Sequence, residues 1–400
     1  GSATPRTLEG RTPAVGDGVP STSPHSQELF VNRLSDVVTT AMGQPPTEGN
    51  HVELLCNGVE IFPAMLTAIE DARQSVDIVT FVYWRGAIAR RFASALADAA
   101  DRGCRVRVLL DAVGARKLDD ELIEMMEQAG CDVRWFRPLV DGGVPEIGTA
   151  NHRTHRKILI CDSEVAFTGG VGIADEWDGD ARNPDEWRDT HVRVQGPAVG
   201  GLQAGFIDNW ADQVDDEFDP ASEFPAAGKP AGRSRMMVVR GSAETGASEL
   251  WRLMLALISG ASERVRIASA YFNPDERLLE ALRQASRRGV EVQILVPGPH
   301  ADKRFVRLAG EACYAELLEA GIDVRTYDTS MMHAKIVTVD RTVATIGSTN
   351  FNQRSTQLDE ETNVVIFDRH VVSILDDHFE HDLESSTVVD PTDWSERGPV

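Results

Sequence analysis

The sequence predicts an α/β protein in which one unit of helices and strands is built twice and the two copies are fused. Three observations support this fold class: internal repetition, apolar runs of strand length after helix-like segments, and glycines at the helix ends. The repeated segments are 72–78 (ARQSVDI) with 261–267 (ASERVRI), 102–110 (RGCRVRVLL) with 288–296 (RGVEVQILV), and 129–134 (AGCDVR) with 320–325 (AGIDVR). Their spacings of 189, 186 and 191 residues are nearly constant, which indicates one architecture repeated.

Within each copy the elements follow in the order helix, strand, helix, strand, helix, strand. Glycine, a residue that readily adopts the conformation that closes a helix, occurs at helix C-termini in both copies, and an apolar strand follows. We therefore predict two domains, each a mixed β-sheet flanked by helices on both faces.

Composition changes along the chain predict the domain limits. Residues 1–26 are rich in Pro, Gly, Ser and Thr and predict a flexible tail, whereas 27–42 carry apolar residues at helical spacing. A run of acidic residues at 215–219 passes into sequence rich in Ala, Gly and Pro, which predicts a linker. The predicted organisation is tail and short helix at 1–50, first domain at 51–219, linker at 220–235 and second domain at 236–400.

The charge balance disfavours one class of function, nucleic-acid binding. The chain has 400 residues, with 40 Lys and Arg against 63 Asp and Glu, a formal net charge of −23. Nucleic-acid binding depends on releasing counterions to basic side chains, so this charge disfavours a nucleic-acid partner. The hydrophobic content of 42% is sufficient for substantial cores.

Cysteine usage and hydropathy exclude further classes. The five cysteines are scattered and never form a Cys-x-x-Cys pair, so we predict neither a disulfide framework nor a zinc site. No apolar run approaches the length that spans a bilayer, and the start of the chain lacks a signal-peptide pattern.

The strongest functional signal is a motif that occurs once in each copy. His155, Lys157 and Asp162 repeat as His333, Lys335 and Asp340, both as His-x-Lys-x4-Asp, each followed seven residues later by Gly169-Gly170 or Gly347-Ser348. On a strand, residues two apart share a face, so each histidine lies beside its lysine. An imidazole can act as nucleophile or proton donor while an ammonium neutralises phosphate oxygens. Asp162 and Asp340 fall on the opposite face and are predicted to be structural.

This pattern resembles the duplicated HKD motif of the phospholipase D superfamily, over about residues 52–383. Flanking segments are similar to bacterial cardiolipin synthases, namely 151–157 (NHRTHRK), 169–176 (GGVGIADE), 187–192 (WRDTHV), 271–275 (YFNPD) and 347–355 (GSTNFNQRS). The resemblance implies one shared active site at the interface of two phospholipase D-like domains related by a pseudo-twofold axis.

The resemblance also implies roles for individual residues. His155 is the expected nucleophile and His333 the general acid and then base, with Lys157 and Lys335 neutralising the phosphate. Asp189 and Glu361 match the carboxylates that orient the histidine of the opposite half. Asn350 matches a phosphate-binding asparagine, and Ser348 and Gly170 are expected beside it. Gly172 stands where the family usually has the second asparagine, which leaves the predicted phosphate site lopsided. Neither a metal nor another cofactor is implied.

The expected function is transfer of a phosphatidyl group to an alcohol such as phosphatidylglycerol through a covalent phosphohistidine. Three alternatives stay open: a phospholipase D that releases phosphatidic acid, a nuclease or other phosphodiesterase, which the charge disfavours, and a binding module with an inactive site. The expected substrates are phosphatidylglycerol or phosphatidylethanolamine. The expected location is the cytoplasm, peripheral on the inner membrane surface.

Overall fold

The computed structural model describes residues 24–138, 152–214, 223, 228–242, 249–302, 308 and 310–392, with the backbone alone at 24–32. The predicted tail therefore lies outside the described residues up to residue 23, as do residues 220–222 and 224–227 of the predicted linker. The first helix begins at Pro24, three residues before the predicted start.

Up to residue 214 the described residues form five helices and seven strands. The helices are α1 (Pro24–Met42), α2 (Asn57–Asp71), α3 (Ala87–Asp101), α4 (Asp120–Gln128) and α5 (Val199–Ala211). The strands are β1 (Thr47–Cys56), β2 (Ser75–Thr80), β3 (Arg105–Asp111), β4 (Asp132–Phe136), β5 (Ile158–Cys161), β6 (Val165–Gly169) and β7 (Thr190–Gln195). A short 3-10 helix, Asp175–Trp177, precedes β7.

From residue 228 onward the same order of elements recurs. The helices are α6 (Glu249–Gly260), α7 (Glu276–Arg287), α8 (Tyr314–Glu319), α9 (Gln353–Gln357) and α10 (Arg369–Glu384). The strands are β8 (Ser234–Gly241), β9 (Arg264–Ser269), β10 (Glu291–Pro297), β11 (Asp323–Tyr327), β12 (Lys335–Val339), β13 (Val343–Gly347), β14 (Glu361–Phe367) and β15 (Ser386–Val388).

The predicted helix ends are explained by local backbone chemistry. Gly103 and Gly289 follow α3 and α7 with φ of 92° and 88°, a conformation that glycine adopts without steric penalty. At the other end of α7, the carboxylate of Asp275 accepts a hydrogen bond from the backbone N–H of Leu278 at 2.9 Å.

The two halves have the same strand order and are joined into one sheet. The order runs β1-β7-β6-β5-β2-β3-β4 in the first half and β8-β14-β13-β12-β9-β10-β11-β15 in the second. In each half three parallel strands (β2 to β4, β9 to β11) continue into four antiparallel strands, which confirms the predicted mixed α/β sheets.

The edge that joins the halves was not expected. Strand β1 pairs antiparallel with β7 and also with β8, through Thr47 with Met236 and Asn50 with Ser234. The fifteen strands therefore form a continuous sheet. Because β1 begins at Thr47, it crosses the limit at residue 50 that the composition suggested, and the domain limits stay a prediction.

Three buried clusters fill the space around the sheet. The first lies under α2, α3 and α4 and includes Phe62, Phe92 and Phe167. The second lies under α1, α6, α7 and α8 and includes Leu34, Leu253 and Leu282. The third contains side chains from both halves, among them those of α5 and α10, and includes Phe206, Ile336, Val364 and Phe379. The third cluster fixes the orientation of the halves, and with it the site at their interface.

The two motif aspartates hold the hairpin turn that follows each motif strand. Asp340 has φ of 52°, and its carboxylate accepts hydrogen bonds from the backbone N–H groups of Ser262, Glu263 and Arg264 at 2.7–2.9 Å. Asp162 has φ of 55° and accepts from three backbone N–H groups in the same way, those of residues 73–75. Both carboxylates thus fix the start of a central parallel strand and lie away from the histidines.

We expect Asp340→Ala to lower the free energy of unfolding by about 3 kcal/mol, because three backbone donors near a strand start lose a charged acceptor. Asp340→Asn, which keeps an acceptor and tolerates positive φ, should lose less. Chemical denaturation measures both changes. Asp377→Ala, at an exposed position of α10, is the control, and an equal effect in the control would refute this role for Asp340.

Candidate active site

Each His-Lys pair lies where an antiparallel strand enters the sheet beside the end of a parallel strand. Lys157 immediately precedes β5, and Ile158 pairs with Val79 near the end of β2. In the second half Lys335 is the first residue of β12 and pairs with Ser269, the last residue of β9. The prediction placed both histidines on a strand, whereas they lie on the extended segment before it.

Reciprocal backbone bridges join the two histidine segments to the opposite half. The His155 N–H donates to the Glu360 carbonyl at 2.9 Å, and the His333 N–H donates to the Arg188 carbonyl at 2.7 Å. Thr154 and Met332 complete the bridges with Glu360 and Arg188. In both cases the next residue of the opposite half, Glu361 or Asp189, carries a carboxylate.

Each carboxylate contacts the imidazole that its bridge brings close. Nδ1 of His155 lies 3.0 Å and 3.1 Å from the two oxygens of Glu361, and Nδ1 of His333 lies 2.7 Å from Oδ2 of Asp189. An ionised carboxylate can only accept, so each Nδ1 carries a hydrogen and each Nε2 is available for chemistry. The structure thus brings together the four residues that the sequence predicted from segments 144 and 206 residues apart.

Both carboxylates are fully buried and held by further donors. Burial raises the pKa of Glu361 to about 7 and also raises the pKa of Asp189. Trp177 Nε1 donates to Asp189 Oδ2 at 3.0 Å, and the Thr190 N–H donates to its other oxygen at 2.8 Å. These donors fix the Asp189 carboxylate in the orientation that His333 requires.

The two lysines are buried beside the histidines. Lys157 Nζ donates to the His155 carbonyl at 2.7 Å, and Lys335 Nζ donates to the His333 carbonyl and lies 2.9 Å from Nδ1 of the same ring. Burial lowers the pKa of Lys157 to about 8 and that of Lys335 to about 7, against the attraction of Asp189 and Glu361. The site therefore holds cations that have lost most of their hydration. An anionic phosphate can compensate this loss through its charge and its oxygen acceptors.

The environments of the two histidines differ in spite of the symmetry. The ring of His333 lies 5.0 Å from the ring of Trp177, 5.3 Å from that of Trp187 and 6.4 Å from that of Tyr271. His155 has one aromatic neighbour of this kind in the described residues, Phe81 at 5.1 Å.

Asp359 takes the place of Trp187 in the half that holds Glu361, since each lies two residues before the carboxylate. Asp359 is 7% exposed, its Oδ2 accepts from Arg354 Nε at 3.0 Å, and burial together with Glu361 raises its pKa to about 7. Neither Asp359 nor Trp177 was predicted from the sequence to belong to the site. An alignment of the two halves by their motif residues could have found them, because at both positions the two halves carry different residues.

The three residues expected to bind phosphate occupy the turns after β6 and β13. Asn350 is 3% exposed; its Nδ2 donates to Ser355 Oγ at 3.5 Å and its Oδ1 has no hydrogen-bond partner in the described part of the chain. The Ser348 hydroxyl is engaged instead by the Thr362 N–H at 3.0 Å. At Gly170 a Cβ would lie 2.3 Å from Asp189 Oδ1, so this turn presses against the carboxylate.

Packing explains the glycine at position 172. A Cβ on Gly172 would lie 2.6 Å from Cβ of Val82, closer than carbon atoms approach. An asparagine equivalent to Asn350 therefore requires Val82 to move, and the two halves differ here for a steric reason.

A family comparison agrees with the class that the fold and site define. Two α/β halves that each contribute a His-x-Lys pair to a common interface define the phospholipase D class of proteins. A family model described as "Cardiolipin synthase, PLD-like domain" matches residues 65–176 and 254–383. The chain belongs to this family, which confirms the resemblance seen in the motifs.

Individual relatives extend the comparison over most of the chain. Cardiolipin synthase 1 of Bacillus cereus is 32% identical over 363 residues, which cover 89% of this chain and 71% of that protein. Cardiolipin synthase of Listeria monocytogenes is 30% identical over 380 residues, 94% of this chain and 77% of that protein.

Two solved structures share the fold at low identity. The phosphatidylserine synthase of Haemophilus influenzae superposes with a TM-score of 0.68 at 15% identity and covers 90% of this chain and 92% of its own. The polyphosphate kinase of Porphyromonas gingivalis gives a TM-score of 0.57 at 16% identity, covering 86% of this chain and 49% of its own.

We expect the stability of Lys335→Met relative to the wild type to improve as the pH falls from about 10 to 6, because burial opposes the ammonium of Lys335 in the folded wild type and methionine carries no charge. Burial lowers the pKa of Lys335 to about 7 in the folded protein, from the usual 10.5 of a lysine. The stability penalty of the charge is therefore complete below pH 7 and disappears as the pH rises toward 10.5.

Denaturation at several pH values measures this effect. Lys229→Met, at an exposed position, is the matched control and should change stability little at any pH. A stability difference between Lys335→Met and the wild type that does not vary with pH would contradict the burial argument.

Proposed function

We infer that this protein is a phosphatidyltransferase of the cardiolipin synthase type. It transfers a phosphatidyl group from one phospholipid to the hydroxyl of an alcohol such as phosphatidylglycerol. One observation carries the proposal: two imidazoles, each held through Nδ1 by a buried carboxylate of the opposite half, flank a pair of buried lysines. Membership of the cardiolipin synthase family supports phospholipid as the substrate.

In the first step Nε2 of His155 attacks the phosphorus of the donor lipid. A P–N bond forms, the P–O bond to the leaving alcohol breaks, and His333 gives its Nε2 proton to the departing oxygen. Glu361 stabilises the positive charge that develops on His155. The products of this step are a phosphatidyl-histidine and a free alcohol.

In the second step the acceptor hydroxyl attacks the same phosphorus. His333, neutral after the first step, takes the hydroxyl proton while the new P–O bond forms and the P–N bond breaks. Asp189 stabilises the imidazolium that results. Both histidines return to their starting state, because the proton that His333 takes from the acceptor hydroxyl replaces the one it gave to the leaving alcohol.

The lysines and Asn350 act on the non-bridging oxygens throughout. Negative charge concentrates there as the phosphorus becomes five-coordinate, and Lys157 and Lys335 are buried where charge interactions are strong. The Asn350 amide completes this set from the turn after β13. Asp189 and Glu361 do not repel the phosphate directly, since both contact Nδ1 of the imidazoles and the phosphate meets Nε2.

We expect His155→Ala to lower turnover at least about 10³-fold, because no other side chain replaces the nucleophile. The measurement is mass spectrometry of lipids after incubation with phosphatidylglycerol vesicles in EDTA, with and without a short alcohol or phosphatidylethanolamine. His370→Ala, at an exposed position of α10, is the control and should keep full activity. Cardiolipin or a new phosphatidyl-alcohol that requires His155 supports the proposal. Phosphatidic acid alone would replace it with hydrolysis, and no lipid product would refute it.

We further propose that the protein meets the membrane peripherally, with the substrate-bearing bilayer at the edge of the first half; the cytoplasmic inner surface stays the expected location. None of the described helices is long and apolar enough to cross a bilayer. Arg85, Arg116 and Lys117, which we name the cationic rim, follow β2 and β3 on the edge where His155 lies.

The cationic rim is a connected and exposed surface. The Arg85 N–H donates to the Lys117 carbonyl at 3.1 Å, and Lys117 Nζ lies 3.9 Å from the ring centroid of Trp84. Within the described residues, no carboxylate pairs with these three side chains, whereas neighbouring Arg90 pairs with Glu121 at 3.8 Å. Unpaired cations beside a half-buried tryptophan suit a surface of anionic headgroups.

We expect the triple variant Arg85→Ser, Arg116→Ser and Lys117→Ser to lose about 100-fold in affinity for phosphatidylglycerol vesicles at low salt. Each basic residue at an anionic surface contributes about 1 kcal/mol, or about five-fold. Vesicle sedimentation measures the affinity.

The matched control changes three arginines of α7, namely Arg277, Arg283 and Arg287, to serine. It removes the same charge from a helix where Arg283 and Arg287 already pair with Glu280. Equal losses in both triple variants would show that net charge, and not the cationic rim, governs binding.

A further inference from the structure

Two buried side chains that the mechanism does not use lie at equivalent positions of the halves. His191 is two residues after Asp189, and Asn363 is two residues after Glu361. In the sheet His191 pairs with Gly169 at the end of β6, and Asn363 pairs with Gly347 at the end of β13. Both side chains are 1% exposed.

The two side chains make the same contact with different chemistry. The Val171 N–H donates to Nδ1 of His191 at 3.4 Å, and the Thr349 N–H donates to Oδ1 of Asn363 at 3.2 Å. Nδ1 of histidine and Oδ1 of asparagine are both bonded to Cγ, so they occupy the same place relative to the backbone. The contact therefore depends on an acceptor at this atom position and not on an imidazole as such.

The state of His191 suits an acceptor. Burial lowers its pKa to about 4, with Lys157 and Lys335 acting in the same direction and Asp189 opposing them. The ring is neutral at physiological pH and can leave Nδ1 without a hydrogen. An amide oxygen needs no such adjustment, which is why Asn363 performs the same task.

The turns that these residues hold have no freedom to shift toward them. A Cβ on Gly169 would lie 2.4 Å from Nδ1 of His191, and one on Gly347 would lie 2.2 Å from Oδ1 of Asn363. The same turns contain Gly170 and Ser348 and lead to Asn350. Gly170 in turn packs directly against the carboxylate of Asp189. In the first half the acceptor, the turn and the carboxylate thus form one rigid contact, and in the second half the Ser348 side chain of the turn hydrogen-bonds Glu361.

We propose that His191 and Asn363 are positioning residues for phosphoryl chemistry: each uses an acceptor on Cγ to fix the turn that borders the substrate phosphate, in register with the carboxylate two residues earlier. This inference rests on the proposed function, because the phosphate belongs to its substrate. It predicts that asparagine can replace histidine at position 191, whereas glutamine, whose oxygen lies one carbon farther out, cannot.

The test compares three variants at position 191. We expect kcat/KM for phosphatidyl transfer to fall about 10–100-fold in His191→Leu, the usual effect of losing a hydrogen bond that orients a site. The kcat/KM of His191→Gln should fall as far, although glutamine is polar. The kcat/KM of His191→Asn should stay within about three-fold of the wild-type value. Asn363→Leu should repeat the loss in the second half.

A second measurement reports on the phosphate site without turnover. Orthovanadate, an analogue of five-coordinate phosphate, should inhibit the wild type and His191→Asn with similar affinity and bind the Leu and Gln variants at least about ten-fold more weakly. Calorimetry measures this affinity with the full chain. Thr338 lies on β12, and Thr338→Val removes its buried hydrogen bond to Asp376. This variant controls for a general loss of stability.

The outcomes separate the two proposals. Equal activity and vanadate affinity in His191→Asn and His191→Gln would overturn the positioning role, as would losses in Thr338→Val as large as those in His191→Leu. A wild type that forms no lipid product would refute the proposed function instead, and vanadate affinities across the variants would still decide the positioning role.

Discussion

The exchange of carboxylates between the halves is the interaction on which the rest of this structure depends. Glu361 orients His155 and Asp189 orients His333, so neither half holds a complete site. Backbone bridges at His155 and His333 place each imidazole within reach of the correct carboxylate. The continuous sheet through β1 and β8 and the shared core between α5 and α10 hold the halves in the one orientation that permits this exchange.

The site buries charge at the expense of stability. Lys157, Lys335, Asp189 and Glu361 are each no more than 3% exposed, and for each of them burial opposes the charged form. Such groups stabilise a fold poorly because lost hydration offsets much of their mutual attraction. This arrangement does little to hold the fold together, which agrees with the proposal that the two lysines serve to bind an anionic phosphate.

The symmetry of the backbone is broken by the side chains around the histidines. His333 has Trp177, Trp187 and Tyr271 as aromatic neighbours, whereas His155 has Phe81. The carboxylate that contacts His155, Glu361, follows Asp359 by two residues. In the proposed mechanism the two histidines carry out different steps, and different surroundings suit those steps since proton affinity depends on local polarity. The asymmetry at Gly172 has a separate origin in the packing of Val82.

Local sequence determined the repeated α/β elements and the histidine-lysine pairs, because strand periodicity and helix-terminating glycines act over a few residues. The resemblance to a known family supplied the partners Asp189 and Glu361, which spacing alone could not connect to histidines 144 and 206 residues away. Only the tertiary structure decided that the two sheets join edge to edge through β1. The tertiary structure also brought Arg85 beside Lys117 in the cationic rim, and it placed His191 and Asn363 in contact with equivalent turns. These contacts depend on how the halves and loops pack together, and packing is a property of the assembled chain that no short segment encodes.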